Sequence, residues 1–216
     1  PEAPEAPEAP EAPGPVPVVR AEEVPPPATP RCRERLNIVM VASECAPFSK
    51  TGGLGDAMQS LPKALAERGH RVMVVVPRYK EYPEAFDTGV RMGFDVLGSE
   101  TEIGYFHAYK DGVDVVFVDH GAYHFVRDSI YSGERSDAAF RNAMLCQAAL
   151  EAVWHVPCGG VPYGDENLIF VANDWHAALL PVFLQAYYRD HGKFEFARSC
   201  FVIHNMAHQG RGPLDE

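Results

Sequence analysis

Three short segments of the 216-residue sequence gather residue types suited to chemistry. The first reads Glu44-Cys-Ala-Pro-Phe-Ser-Lys50-Thr-Gly52-Gly53-Leu-Gly55-Asp56. A lysine beside two adjacent glycines that lead into a helix can aim an ammonium, backbone amides and a helix dipole at a diphosphate. It is not a Walker A loop, where Lys-Ser/Thr follows the glycines, and a GxGxxG motif would need a third glycine at Met58. Spacing alone leaves two readings open, a phosphate loop and a flexible turn with a solvated lysine. The second segment is Asn173-Asp174-Trp175-His176, where the bland reading has Asp174 capping a helix, Trp175 in the core and His176 a satisfied, partly buried histidine. The third is His204-Asn205-Met-Ala-His208-Gln209-Gly210. Two histidines four apart would share a helix face and invite a metal, but here they follow a strand in loop-like sequence, so no metal site is expected.

The elements that must position these segments alternate strand and helix. Leu36 to Ser43 and Arg71 to Val76 are continuous apolar runs of strand length. Between them Asp56 can cap a helix with apolar Met58, Leu61 and Leu65, kinked or shortened by Pro62 and ended by Gly69. Residues 89–119 read as a β-rich insertion, with Asp111-Gly112 as the turn between Tyr105–Tyr109 and Val113–Asp119. Ala138 to Trp154 reads as a helix. Asn167 to Ala172, Trp175 to Asp190 and Arg198 to Ile203 form a further strand, helix, strand unit. Buried strands alternating with helices imply an α/β fold, a doubly wound, Rossmann-like parallel sheet. Ligands in such folds bind beyond the carboxyl ends of the strands, where all three segments fall.

Composition excludes several classes. Hydrophobic residues make up 46% and charged residues 23%, which suits a packed core. No apolar run approaches the ~20 residues of a membrane helix. A net charge of -11 disfavours general nucleic-acid binding. The five cysteines are odd in number and form no CxxC pair, so neither a disulfide framework nor a zinc knuckle is signalled, and a reducing compartment is inferred. Residues 1–34 read as a linker: Pro-Glu-Ala repeats four times, and 11 of the 19 prolines fall in the first 30 residues. Proline fixes φ and repeated glutamate repels itself, so an extended tether is expected there, with the globular part from residue 35. The first residue is Pro1 and the last, Glu216, falls within a motif, so the chain reads as a fragment.

Together, Ser49-Lys50-Thr51-Gly52-Gly53-Leu54-Gly55-Asp56, Asn173-Asp174-Trp175-His176-Ala177 and Val202-Ile203-His204-Asn205 with His208-Gln209-Gly210 resemble the starch synthase and bacterial glycogen synthase family. Trp154-His-Val-Pro-Cys-Gly-Gly-Val-Pro-Tyr-Gly-Asp165 and His208-Gln-Gly-Arg-Gly-Pro are further similar to the second class of plant and algal soluble starch synthases. The resemblance implies the N-terminal, acceptor-side half of a GT-B glycosyltransferase, with the donor-binding domain missing. It implies transfer of glucose from ADP-glucose to the non-reducing end of an α-1,4-glucan such as amylopectin or glycogen. Configuration is retained, no metal or other cofactor is used, and the location is a plastid, either chloroplast or amyloplast. Other starch-synthesis enzymes are possible partners; nucleic acid and membrane are not.

Carried over by motif, Lys50, Gly52 and Gly53 hold the donor diphosphate, Asp56 positions their loop and Glu44 lines the cleft. His204 bonds the transferring glucose, Asp174 orients donor and catalytic groups, and Tyr131 and Asn205 belong to the donor site. Arg141 stands where many relatives carry Asp, and no role is transferred to it. Without the second domain the chain alone is expected to turn over negligibly. Two alternatives stay open. A non-catalytic glucan-binding or scaffold module would not need the intact Lys50 loop, and a dinucleotide oxidoreductase is disfavoured by the missing GxGxxG.

Overall fold

The structure is a computed structural model and describes residues 31–212. Seven strands form one sheet: β1 (Asn37–Val41), β2 (Arg71–Pro77), β3 (Phe86–Val96), β4 (Ser99–Lys110), β5 (Val113–Asp119), β6 (Leu168–Asn173) and β7 (Arg198–Val202). Their order is β3-β4-β5-β2-β1-β6-β7. Strands β5, β2, β1, β6 and β7 are parallel, while β3 and β4 add an antiparallel edge. The α/β, Rossmann-like reading therefore stands.

Alternation along the strands feeds two separate cores. Val39, Val41, Met73, Val75, Val116 and Val118 face helix α3 (Arg135–His155), which follows the single-turn helix α2 (Gly121–His124), and pack with its Met144, Leu145 and Val153. Ile38, Met40, Val72, Val74, Val115 and Phe117 face helix α1 (Gly53–Glu67) and pack with its Leu54 and Met58. With apolar side chains buried on both faces, each strand reads as a continuous hydrophobic run. Truncating Met144 or Leu145 to Ala, both at most 1% exposed, removes packing worth about 2–5 kcal/mol.

Helix α1 departs from expectation at its start and its middle. It begins at Gly53 with Gly52 as N-cap, so Asp56 lies in the first turn and does not cap it. Pro62 is buried inside the helix without ending it. Its missing N–H leaves the Met58 carbonyl without a helical donor, and the Cys45 thiol donates there instead at 3.4 Å. The end is as expected: Gly69 has φ +100°, its N–H reaches the Ala66 carbonyl at 2.9 Å, and the His70 N–H reaches Leu65 at 3.3 Å. That is a Schellman closure.

Two further expectations change. The hairpin around Asp111-Gly112 is present, with Lys110 opposite Val113, but β5 also pairs with β2. Residues 113–119 thus belong to the central sheet, and only β3 and β4 form the added edge. The helix expected over 175–190 is broken into a 3-10 turn (Trp175–Ala177), the short helix Leu180–Phe183, a π turn (Leu184–Tyr188) and another 3-10 turn (Arg189–His191). Pro181 has no N–H for the Ala177 carbonyl, so an unbroken ladder cannot form. The Pro-Glu-Ala tether lies outside the described residues, although Cys32 already bonds the Arg68 carbonyl at 2.9 Å.

Candidate active site

The loops after β1, β6 and β7 leave the carboxyl edge of the sheet and enclose a cavity of about 810 Å³. Glu44, Gly52, Gly53, Tyr131, Asp174, His204 and Asn205 all line it, together with Trp175, His176 and residues 207–211.

Glu44 shapes the first loop. It is 1% exposed, and one carboxylate oxygen accepts the Gly52 N–H at 3.1 Å and also the Thr51 N–H. Its other oxygen accepts the Tyr131 hydroxyl, which also lies 3.2 Å from Ser43 Oγ. One buried carboxylate thus ties the glycine loop to the segment before α3. The hydrogen bonds that neutralise it are charge-assisted, the stronger kind. Burial, and then Glu44 as acceptor, hold the Tyr131 phenol protonated well above its ordinary range. Glu44 therefore acts on the loop as well as lining the cavity.

Gly52 and Gly53 present open backbone: a methyl added at either meets no atom within 4 Å. At Gly55 an added Cβ would lie 3.2 Å from the Ser49 carbonyl oxygen and 3.3 Å from Lys50 Cα, so that position closes the loop on itself. Lys50 does not line the cavity. Its ammonium pairs with Asp56 at 2.8 Å, and both side chains are half exposed (51% and 56%). An exposed pair of this kind is worth about 0–1 kcal/mol. It parks the lysine beside the glycine loop at little cost to its release.

The second and third loops are joined through Asp174 and Asn173. Asp174 has φ 58° and ψ 178°, a left-handed conformation that costs a side-chain-bearing residue about 1–3 kcal/mol. Its N–H donates to the Val202 carbonyl at 2.8 Å and its Oδ1 accepts the His204 N–H at 2.7 Å. The strained residue thereby holds the start of the His204 loop. Asn173, fully buried, donates Nδ2 to the Val41 and Val171 carbonyls at 3.2 and 2.9 Å. That orientation leaves Asn173 Oδ1 as an acceptor 2.9 Å from His204 Nε2. A neutral His204 ring must then carry its hydrogen on Nε2, which leaves Nδ1 as a free acceptor.

Asn205 is used by its own loop, its Oδ1 accepting the Ala207 and His208 N–H groups at 3.0 and 3.3 Å. Gly210, at φ +63°, packs on Trp175, where an added Cβ would sit 2.4 Å from the ring. Arg141 donates to the Ser132 carbonyl at 2.8 Å and is buried, holding the segment behind Tyr131.

His176 is not the satisfied histidine of the bland reading. It is buried, stacks on Tyr131 at 4.9 Å between centroids, and neither ring nitrogen has a hydrogen-bond partner. Burial pushes its pKa down to about 4 against the opposing pull of Asp174 and Glu44. It is a neutral ring that packs the floor beneath Tyr131. The motif Asn173-Asp174-Trp175-His176 flagged the segment, but the structural work of Asn173 was not legible, because its partners are backbone carbonyls of β1 and β6.

The class these features define is a doubly wound α/β domain with a polar-lined cavity at the carboxyl edge of its sheet. More narrowly, residues 37–216 match the starch synthase catalytic domain, and the chain belongs to that family. It is 59% identical over 195 residues to starch synthase 2, chloroplastic/amyloplastic, of Arabidopsis thaliana, covering 90% of this chain and 24% of that protein. To granule-bound starch synthase 2 of Solanum tuberosum it is 58% identical over 198 residues, 92% of this chain and 26% of that one. The catalytic domain of starch synthase IV from Arabidopsis thaliana, solved with ADP and acarbose, superposes with a TM-score of 0.66 at 27% identity. That likeness covers 82% of this chain and 35% of the other. The chain therefore spans about a quarter of the length of the curated relatives it matches.

Proposed function

We propose that this chain is the acceptor-side half of a retaining glucosyltransferase that moves glucose from ADP-glucose to the non-reducing end of an α-1,4-glucan. The observation that carries the proposal is the open Gly52-Gly53 backbone, anchored by Glu44 at the start of α1 and facing His204 across one cavity. In this reading ADP leaves with extra negative charge at its diphosphate. With the Thr51 and Gly52 amides held by Glu44, the next amides, from Gly53 into the first turn of α1, are set in place to stabilise that charge without reorganising, and Lys50 swings from Asp56 to add its own. His204 Nδ1 accepts a hydroxyl hydrogen of the transferring glucose. Asp174 holds His204 in place and, with Asn173, fixes which ring nitrogen is free. Tyr131 lies at the edge of the donor site and braces Glu44.

A diphosphate donor needs a second wall, and the relatives are about four times as long. The chain alone therefore turns over negligibly in this proposal, and the completing part of the longer protein closes over the cavity. The names of the relatives support a plastid location, chloroplast or amyloplast.

The test is incorporation of glucose from ADP-glucose into glycogen, comparing this chain with a version extended to the length of its relatives. Transfer by the extended chain alone supports the proposal. If both bind glucan and neither transfers glucose, the chain is a binding module instead.

A further inference from the structure

A second cavity, about 950 Å³ in volume, lies at the opposite, amino edge of the sheet. Three metal-ligating residue types converge on its wall: His107 of β4, Asp114 of β5 and Cys158 of the turn after α3. All three are buried, and a histidine nitrogen, a carboxylate oxygen and Sγ lie within 4.8 Å of one another. His107 is 4% exposed, its Nε2 is 2.8 Å from Asp114 Oδ1, and its Nδ1 is buried without a partner. Nε2 is thus matched by the carboxylate while Nδ1 of the same ring is not, and an unpaired buried polar atom costs about 1–3 kcal/mol.

We propose that His107, Asp114 and Cys158 bind a zinc ion, with water from the adjoining cavity as a fourth ligand. Mixed nitrogen, oxygen and sulfur donors suit zinc, whereas calcium and magnesium take oxygen alone. Outer contacts hold two of the ligands. The Tyr163 hydroxyl donates to Asp114 Oδ2 at 2.8 Å, orienting the carboxylate. Arg71 donates to the Cys158 carbonyl at 2.8 Å and to Pro162 at 3.0 Å, and its guanidinium lies 3.9 Å over the Tyr163 ring. The guanidinium thus fixes the turn that carries the thiol, and its charge is shared among carbonyls.

Binding breaks the Cys158 S–H bond, forms the zinc–sulfur bond and passes the proton through the cavity to solvent. In the metal-free protein, burial pushes the Cys158 thiol up to about 12, so it is no nucleophile. The site lies at the edge away from the glycine loop, and it pins β4, β5 and the turn after α3 to one another. Its role is structural and does not depend on the glucosyl-transfer reading.

The experiment is titration of the purified, chelator-treated protein with cobalt(II) and then zinc. One equivalent of cobalt is expected to give a near-ultraviolet thiolate-to-metal absorption band that one equivalent of zinc abolishes. Cys158→Ser should remove the band, Asp114→Asn should weaken binding at least about tenfold, and the Cys32→Ser/Cys200→Ser double variant should retain it. Zinc should also raise the melting temperature of the wild type but not of Cys158→Ser. Cobalt binding without a sulfur band in the wild type, or a band that survives in Cys158→Ser, overturns the proposal and leaves the cluster as a hydrogen-bonded plug.

Discussion

The two edges of the sheet use buried carboxylates differently, mostly on main chain at one edge and on side chains alone at the other. At the carboxyl edge Glu44 and Asp174 accept backbone N–H groups, from Gly52 and Thr51 in one case and from His204 in the other. Those bonds fix loops whose own backbone and side chains then face a cavity. At the amino edge Asp114 is held by side chains, His107 and Tyr163, and the backbone around it follows regular strands. A carboxylate spent on main chain shapes a surface for something else to bind; one spent on side chains gathers a cluster. Positive φ occurs at both edges: Asp174 at the carboxyl edge sits at φ 58° and starts a cavity-facing loop, while at the amino edge Asp111 and Gly112 use positive φ to make a hairpin turn.

That contrast can be broken most forcefully at Glu44. Glu44→Ala in the extended enzyme leaves two loop amides and the Tyr131 hydroxyl without their acceptor, at about 1.5–3 kcal/mol for a bond to a charged group. Glucose transfer should fall at least about a hundredfold with a lower melting temperature, as read by incorporation assay and thermal unfolding. Retained activity would mean the loop holds itself. His204→Ala should lower kcat more than it raises the KM for ADP-glucose, because the contact forms with the reacting sugar. A change confined to KM would move His204 out of that role. Lys50→Ala removes a charge-assisted contact worth about 1.5–3 kcal/mol once donor is bound, yet it should leave folding nearly unchanged because the Asp56 pair is exposed. Loss of stability comparable to the loss of activity would show the pair to be structural.

The smallest effect concerns His176. Its pKa is depressed to about 4 in the fold against an ordinary value near 6.5, so the unfolded chain binds the proton more readily. Stability should be full above about pH 6.5 and decline as pH falls toward 4. His176→Phe keeps the stack on Tyr131 and should flatten that slope in denaturant unfolding between pH 7 and 4. An unchanged slope would assign the acid sensitivity to other groups.

Much of this was readable from sequence where the physics is local. The apolar runs of β1, β2 and β6, Gly69 as the left-handed helix end, and Asp111-Gly112 as the hairpin turn all follow from residue type and immediate neighbours. The three motif segments likewise fell at one sheet edge because strand direction alone puts them there. What was not readable depends on partners distant in sequence. Asp56 looks like a cap, but Gly52 takes that position and Asp56 meets Lys50 instead. Pro62 reads as a kink or an early end, but the helix runs on to Glu67 and Cys45 supplies a donor to the freed carbonyl. Lys50 was expected to hold the donor diphosphate with Gly52 and Gly53, and here it stands beside the cavity on its salt bridge to Asp56. The cluster at the amino edge draws residues 107, 114 and 158 from three elements, so no spacing rule could signal it; the expectation of no metal rested on the loop at 204–208, on the cysteine spacing and on the family resemblance.

The central claim is that the open Gly52-Gly53 backbone receives the donor diphosphate. Gly52→Val in the extended enzyme tests it most directly, because a side chain there meets no protein atom within 4 Å at its Cβ and projects where the phosphates are assigned. Calorimetric titration with ADP should show affinity reduced at least about tenfold while the melting temperature stays within a few degrees of wild type. Unaltered ADP affinity in a folded Gly52→Val protein would contradict the account and place the diphosphate elsewhere.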